Sequence, residues 1–290
     1  MVKAKDLSQG RNIISRFAPS PTGRLHLGNG WSALLAHDYA RDRGGRFLLR
    51  IEDIDPGRTR EDHVAGIKED LHWLGLDWDE PPVRQSTRLP LYAAALDRLK
   101  ADGLAYPCFC TRAEIAASAS APHGPAGAIY PGTCRHLSDA ARAERMMTTP
   151  HAWRLDMTRA IAAAGRLTWH DEHAGEVVAQ PEMHGDVVLA RKDAPTSYHL
   201  AVIVDDAAQG ISDVVRGQDL FEATHVHRLL QALLGLPTPL YHHHPLIADA
   251  RGHRLAKRNS APTLEQMRAD GVDPVALAAS LRAGQFTVMT

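Results

Sequence analysis

Three features of the 290-residue sequence predict an α/β fold on a doubly wound parallel sheet, split by an inserted α+β subdomain and followed by a short helical C-terminal segment. Between residues 13 and 51 an apolar run, a Pro/Gly turn, a helical stretch and a second apolar run form a strand-helix-strand unit. From residue 108 the composition changes, and a β-rich section runs to about residue 191. A second apolar strand and helix then resume between residues 214 and 234, as the other half of a nucleotide-binding fold. The segments expected are 1–107 for the first half, 108–185 for the insert, 186–245 for the second half and 246–290 for a basic loop with C-terminal helices.

The first strand, at Ile13-Ile14, leads into Arg16-Phe17-Ala18-Pro19-Ser20-Pro21-Thr22-Gly23-Arg24-Leu25-His26-Leu27-Gly28-Asn29-Gly30, and a helix follows to about Arg43. Backbone N–H groups at such a helix start carry partial positive charge and suit an anion, and Gly28 and Gly30 are expected to let a phosphate approach, with His26 at the mouth. Arg46 to Ile51 is the second strand, so Glu52, Asp53 and Asp55 should face the same turn at the carboxyl end of the sheet. Glu52, first past the strand, is placed for a ligand ammonium. Asp55 reads as part of a solvated acidic loop capping the next helix.

Helical spacing covers His63 to Leu76 and Leu89 to Asp102, and Trp73, Trp78 and Tyr92 read as packing residues. The stretch Ala116 to Ala128 is poor in large apolar groups and is bracketed by Cys108, Cys110 and Cys134. Three thiols across such a loop suit a structural zinc site that lacks one donor, for which Tyr130, His123 and His136 are candidates. Three unrelated reduced thiols are the other reading. An Ala/Arg helix covers Arg135 to Arg145, and strands are expected at 167–172, 175–179 and 186–191.

Tyr198 lies beside an apolar run, and Arg216 ends the strand Val214-Val215. An arginine directly after a buried strand needs an anion: a substrate carboxylate, or Asp205, Asp206 or Asp213 in a salt bridge. His242, His243 and His244 alternate faces in an extended run and are not expected to converge on a metal. Only six of the 33 basic Lys and Arg residues are lysines, and one, Lys257, sits in the glycine turn Gly252 to Ser260. A flexible ammonium there can follow phosphate oxygens as charge builds. Two short helices between Thr263 and Arg282 complete the chain.

Composition sets the boundaries. Apolar residues at 44% and charged residues at 23% are globular values, and the net charge of −1 provides no general basic footprint for nucleic acid. No long apolar run or signal-like start is present, so a cytoplasmic protein with no membrane contact is expected.

The block Arg16 to Gly30 resembles the HIGH-type signature of class I aminoacyl-tRNA synthetases, in the glutamyl and glutaminyl form. Arg254-Leu255-Ala256-Lys257-Arg258 is similar to the KMSKS signature, and the likeness to the catalytic half of bacterial glutamyl-tRNA synthetases spans roughly Arg16 to Ala269. It implies a Rossmann-like fold and a reaction of L-glutamate with Mg-ATP to glutamyl-adenylate, without tRNA. His26, Gly28, Asn29 and Lys257 would serve the chemistry, with Pro19, Thr22 and Gly23 beside them at ATP. Arg16, Ala18, Ser20, Glu52, Tyr198 and Arg216 would hold glutamate, and Cys108, Cys110, Tyr130 and Cys134 one structural zinc. A catalytic half with this bracket and no anticodon-binding domain resembles the branch that glutamylates queuosine in tRNA(Asp), acting as a monomer. Asn29 departs from the second histidine of a generic HIGH motif, and Arg254 and Ala256 depart from KMSKS, which implies slower activation. The rival readings are a glutamyl-tRNA synthetase fragment needing a partner, a small-molecule nucleotidyltransferase and a non-catalytic tRNA-binding paralogue.

Overall fold

The computed structural model describes residues 11–117, 123–124, 127–247 and 262–284. Strand β1 (Ile14–Phe17) is buried throughout and pairs in parallel with β2 (Arg46–Ile51) across helix α1 (Leu27–Arg41). Both strands are buried on both faces, and the polar residues they carry there, Ser15, Arg16 and Arg50, are buried with them. Helix α2 (Glu61–Trp73) leads to the short parallel strand β3 (Val83–Arg84), and helix α3 (Leu89–Ala101) follows.

Strand β4 (Ala105–Cys108) opens the middle section. Helix α4 (Arg112–Ala117), the two-residue strands β5 (His123–Gly124) and β6 (Gly127–Ala128), and helix α5 (Asp139–Thr148) come next. Strand β7 (Ala152–Leu155) lies antiparallel between β4 and β10 (Val188–Ala190). Between β7 and β10 come helix α6 (Met157–Ala164) and the hairpin of β8 (Thr168–Asp171) and β9 (Gly175–Val178). The second half contains α7 (Tyr198–Ala208), β11 (Asp213–Gly217), α8 (Ala223–Leu234) and β12 (Leu240–His244). Helices α9 (Leu264–Ala269) and α10 (Pro274–Arg282) finish the described chain.

Strand order supplies the functional geometry. One set, all parallel, runs β1-β2-β3, and a second runs β11-β12-β8-β9, parallel except for the antiparallel edge pair β8-β9. The Ser212 amide donates to the Ile14 carbonyl at 3.0 Å, which brings the starts of β11 and β1 side by side. The chain therefore leaves β1 toward β2 on one side and reaches β12 on the other, and crevices form at such a reversal beyond the carboxyl ends. The β8-β9 hairpin, expected in the insert, lies alongside β12 in this second set, with Tyr241 in register with Asp171.

The main core packs Leu34, Phe47, Leu49 and Ile51 against Leu71 of α2, with Leu281 of α10 closing it. A second core joins α3, α6, α7 and α8 around Leu99, Leu155, Leu200 and Leu230. Trp73 and Trp78 pack against the first core, and Tyr92 is buried with its hydroxyl donating to Asp205 at 2.7 Å. No helix among the described residues is long and apolar enough to cross a membrane.

Candidate active site at the reversal of strand order

A cavity of about 280 Å³ opens where β1 and β11 end. Its walls include Arg16, Ala18, Pro19, Ser20, His26, Gly28, Asn29, Glu52, Tyr198 and Arg216, expected from four separate stretches of the sequence. Trp31, Asp219 and His244 line it as well, without a signal that singled them out. Thr22 lines a neighbouring cavity of about 780 Å³, which shares Ser20, Glu52 and Tyr198 with the first. Gly23 lines neither. Lys257, Arg254 and Ala256 lie outside the described residues.

His26 is the N-cap of α1. Its Nδ1 accepts from the Gly28 amide at 3.1 Å, and the Asn29 side chain accepts from the His26 amide at 3.1 Å. This reciprocal pair is a capping box with an imidazole in the usual hydroxyl position. Because Nδ1 accepts, the neutral ring carries its proton on Nε2. The expectation that the Gly28 amide meets a phosphate is corrected by this bond: the imidazole stands in for the anion at that amide. Gly30 is corrected too. It is buried, and a Cβ there would lie 3.1 Å from Leu74 and 3.2 Å from Leu264, so its smallness serves helix packing.

Of the three carboxylates expected to face the turn, only Glu52 does. Asp53 is buried and accepts from Arg84 Nε, the Ser86 amide and Ser86 Oγ at 2.7, 2.8 and 2.7 Å. Asp55 accepts from the Gly57 amide and Arg58 Nε, holding its own turn, and helix α2 starts with no side-chain cap. Glu52 borders the cavity, and the surrounding protein pushes its carboxyl up to about 7, chiefly by burial, with Asp206 and Asp205 adding to the rise against the pull of Arg50 and Arg16.

Arg16 and Arg216 occupy corresponding places at the ends of β1 and β11. Arg16 Nε and Nη2 donate to the two oxygens of Asp206 at 3.0 and 3.3 Å, and Arg50 Nη2 donates to Asp206 at 2.7 Å. Burial opposes the charge on Asp206, yet the two guanidinium groups hold its carboxyl below the usual range. Asp205 joins the same network, accepting from Gln85, Arg88 and Tyr92.

Arg216 is only 5% exposed and has no carboxylate partner among the described residues. Its Nε–H donates to His243 Nε2 at 3.1 Å, Nη1 donates to Tyr198 Oη at 3.3 Å, and Nη2 donates to Thr224 Oγ1 and the Leu220 carbonyl at 2.6 and 3.1 Å. His227 Nδ1 lies 3.4 Å from Nη1. The salt-bridge alternative is thereby overturned: Asp205 and Asp206 serve other arginines, and Asp213 accepts from Tyr39 at 3.0 Å and pairs with Arg11 and His242. Burial, then Arg216, pushes the His243 imidazole down to about 4, and burial likewise holds His227 well below its ordinary value.

The three consecutive histidines do not converge. His242 meets Glu172 and Asp213, His243 meets Asp171 and Arg216, and His244 Nε2 lies 3.0 Å from Ser32 Oγ. By contrast Cys108, Cys110 and Cys134 bring their sulfurs within 4.8 Å of one another. Cys110 Sγ is 3.5 Å from Cys134 Sγ and 3.5 Å from Tyr130 Oη, which accepts from the Cys134 amide at 2.8 Å. Sulfurs bound about 2.3 Å from one tetrahedral zinc lie on the order of 3.8 Å apart, so this donor set fits that ion. His136 is exposed and outside the group, and the His123 side chain lies outside the described residues.

A family model described as tRNA synthetases class I (E and Q), catalytic domain, matches residues 12–289. A protein of Rhodobacter capsulatus named glutamyl-Q tRNA(Asp) synthetase is 52% identical over 271 residues, covering 90% of this chain and 97% of the relative. One of the same name from Deinococcus radiodurans is 46% identical over 275 residues, 93% of this chain and 88% of the relative. The crystal structure of glutamate-tRNA synthetase from Elizabethkingia anophelis superposes with a TM-score of 0.78 at 27% identity, over 93% of this chain and 61% of that one. A reversal in a parallel sheet, with a capped helix on one side and an uncompensated arginine on the other, is in this light the catalytic domain of a class I aminoacyl-tRNA synthetase. The chain belongs to the glutamate and glutamine family of these enzymes, and the curated relatives it matches over most of their length are named glutamyl-Q tRNA(Asp) synthetase.

Proposed function

We propose that this chain activates L-glutamate with Mg-ATP, without tRNA, and transfers the glutamyl group to queuosine in the anticodon of tRNA(Asp). The observation that carries the reading is Arg216, a buried guanidinium whose described partners are all neutral, in the same cavity as the carboxyl of Glu52, which has no hydrogen-bond or ion-pair partner among the described residues. A cation and an anion across one small cavity suit an acidic amino acid, whose carboxylate meets the first and whose ammonium meets the second. Arg16, though paired with Asp206, engages it through Nε and Nη2, and its remaining face with Tyr198, Ala18 and Ser20 completes the glutamate pocket.

The α-carboxylate oxygen attacks the α-phosphorus of ATP. The bond from that phosphorus to the bridging oxygen breaks, and pyrophosphate leaves with its magnesium. His26 presents its Nε2–H toward the transferring group from the positive end of α1, and Pro19, Thr22, Gly23, Gly28 and Asn29 shape the ATP side. The segment 248–261 leaves the chain at Ile247, on the cavity wall, and rejoins it at Thr263, whose backbone bridges to His26. Ile247 lines the cavity and Thr263 pairs with His26, which lines it, and this supports Lys257 as the ammonium that follows the phosphates. In the second step a hydroxyl of the queuosine cyclopentenediol attacks the acyl carbon, the bond to the phosphate breaks, and AMP departs carrying the hydroxyl proton's equivalent.

The larger neighbouring cavity, open to Glu52 and Tyr198 and bordered by Arg154, Arg191 and Cys110, is the entry for the modified base. Cys108, Cys110, Cys134 and Tyr130 would hold a zinc, which would tie the chain on either side of residue 120 together beside Cys110, on the edge of that entry. Exposed Arg58 and Arg60 are candidates for tRNA phosphates. All named groups come from one chain, so a monomer suffices, and the substrates place it in the cytoplasm. Pyrophosphate exchange with glutamate, glutamine and aspartate in the absence of tRNA is the test: exchange with glutamate alone is expected, and none overturns the reading in favour of a silent tRNA-binding protein. Charging of tRNA(Glu) in place of queuosine-bearing tRNA(Asp) overturns the acceptor.

A further inference from the structure

The guanidinium of Arg216 is held by an imidazole whose own orientation is fixed from a different part of the chain. His243 Nε2 accepts from Arg216 Nε–H at 3.1 Å, so the neutral ring carries its proton on Nδ1. That Nδ1–H is aimed at Asp171 Oδ2, 2.8 Å away, which also accepts from the His243 amide at 3.2 Å. Asp171 is 1% exposed, and its Oδ1 accepts from the His173 and Ala174 amides at 3.0 and 2.9 Å. It has no arginine or lysine partner among the described residues. Around the ring pack Trp169 and Phe221, with centroids at 5.8 and 5.1 Å, and Thr224 Oγ1 lies 3.3 Å from Nε2.

A carboxylate placed directly on Arg216 would orient it equally well, but it would neutralise the charge and repel an anionic ligand. An imidazole between the two orients without neutralising. The same logic, a buried carboxylate fixing the tautomer of a histidine that acts on a third group, governs many histidine ligands.

We propose that Asp171 and His243 are positioning residues for Arg216: Asp171 selects the Nδ1–H tautomer, and His243 then sets the angle at which the guanidinium meets the substrate carboxylate, which governs the preference for glutamate over glutamine. This rests on the reading of Arg216 as the carboxylate clamp. It assigns a role in amino-acid selection to the β8-β9 hairpin, which sequence patterning groups with the insert.

Asp171→Asn is the informative variant. The amide keeps an oxygen for the two turn amides and turns its NH2 toward His243 Nδ1, which drives the ring to the Nε2–H tautomer and sets donor against donor at Arg216. The expected result is a rise in KM for glutamate of about 10- to 100-fold, the scale on which outer partners of a buried binding group act, with KM for ATP within about twofold and a thermal midpoint lowered by loss of the bond from the His243 amide. Discrimination against glutamine falls by about tenfold or more. His243→Gln places an amide oxygen near the position of Nε2 and needs no tautomer, so it retains much of the glutamate affinity, and adding Asp171→Asn to it costs little more. An equal cost of Asp171→Asn in both backgrounds, or an equal rise in the KM for ATP, means a turn-stabilising role alone and overturns the proposal. Arg216→Gln separates the layers: a wild-type KM for glutamate in that variant overturns the clamp itself, whereas a damaged Arg216→Gln beside an unaffected Asp171→Asn overturns only the positioning pair.

Discussion

The two arginines at the ends of neighbouring strands had the same problem in the sequence and received opposite solutions in the fold. Arg16, with Arg50 beside it, is matched by the buried carboxylate of Asp206. Arg216 is matched by imidazole, hydroxyl and carbonyl groups. The first arrangement closes its charges within the protein and makes the floor of the cavity part of the scaffold. The second leaves a charge to be completed from outside. Burial alone therefore does not mark a binding arginine, whereas the nature of its partners does.

The largest test of this contrast is Asp206→Ala. It strands two buried guanidinium groups, and a destabilisation of about 3–5 kcal/mol in urea unfolding is expected. A loss under about 1 kcal/mol would erase the distinction between the two halves. Arg216→Gln should show the reverse profile: stability is kept or improved, while glutamate-dependent pyrophosphate exchange loses about 2–4 kcal/mol of transition-state binding, roughly 30- to 1000-fold.

A smaller and graded effect belongs to Glu52, whose carboxyl is pushed up to about 7. The ammonium of glutamate needs the carboxylate form, so KM for glutamate should fall as pH rises through 7 and level off above it, by up to about tenfold per pH unit on the acid side. Stability has the opposite slope. A raised carboxyl pKa favours the folded state below the ordinary carboxyl value, and that contribution is lost as pH rises through about 7. Glu52→Gln should flatten both profiles, and a KM that stays level from pH 6 to 8 in the unmodified protein contradicts this assignment. The smallest change is expected from Tyr130→Phe, which removes the acceptor of the Cys134 amide and costs about 1–2 kcal/mol, with metal content of the purified protein as the direct readout. Zinc at full stoichiometry in that variant would show that the phenol oxygen is dispensable.

Much of the cavity wall was legible because turn chemistry is local. The Pro/Gly run from Ala18 to Gly28, the residue after β2 and the arginine ending β11 each announce themselves within a few positions. The sheet and the paired C-terminal helices were legible for the same reason, from apolar period and flanking glycines. What escaped was set by distance along the chain. Asp171 and His243 are 72 positions apart and meet only through the register of β8 on β12. Arg16 and Asp206 are separated by 190 positions. Gly30 was misjudged for another reason: a glycine at a helix start reads the same whether its smallness admits a ligand or a neighbouring helix.

The contact of Gly30 with Leu264 ties the opening of α1 to the opening of α9, where Leu264 also donates its amide to the Leu25 carbonyl at 2.9 Å. The last helical pair is thus a fastener for the start of α1. A single added methyl at Gly30 would have to push the Leu74 and Leu264 side chains back by a few tenths of an ångström. Grafting a different tail onto this fold would need to reproduce that clasp.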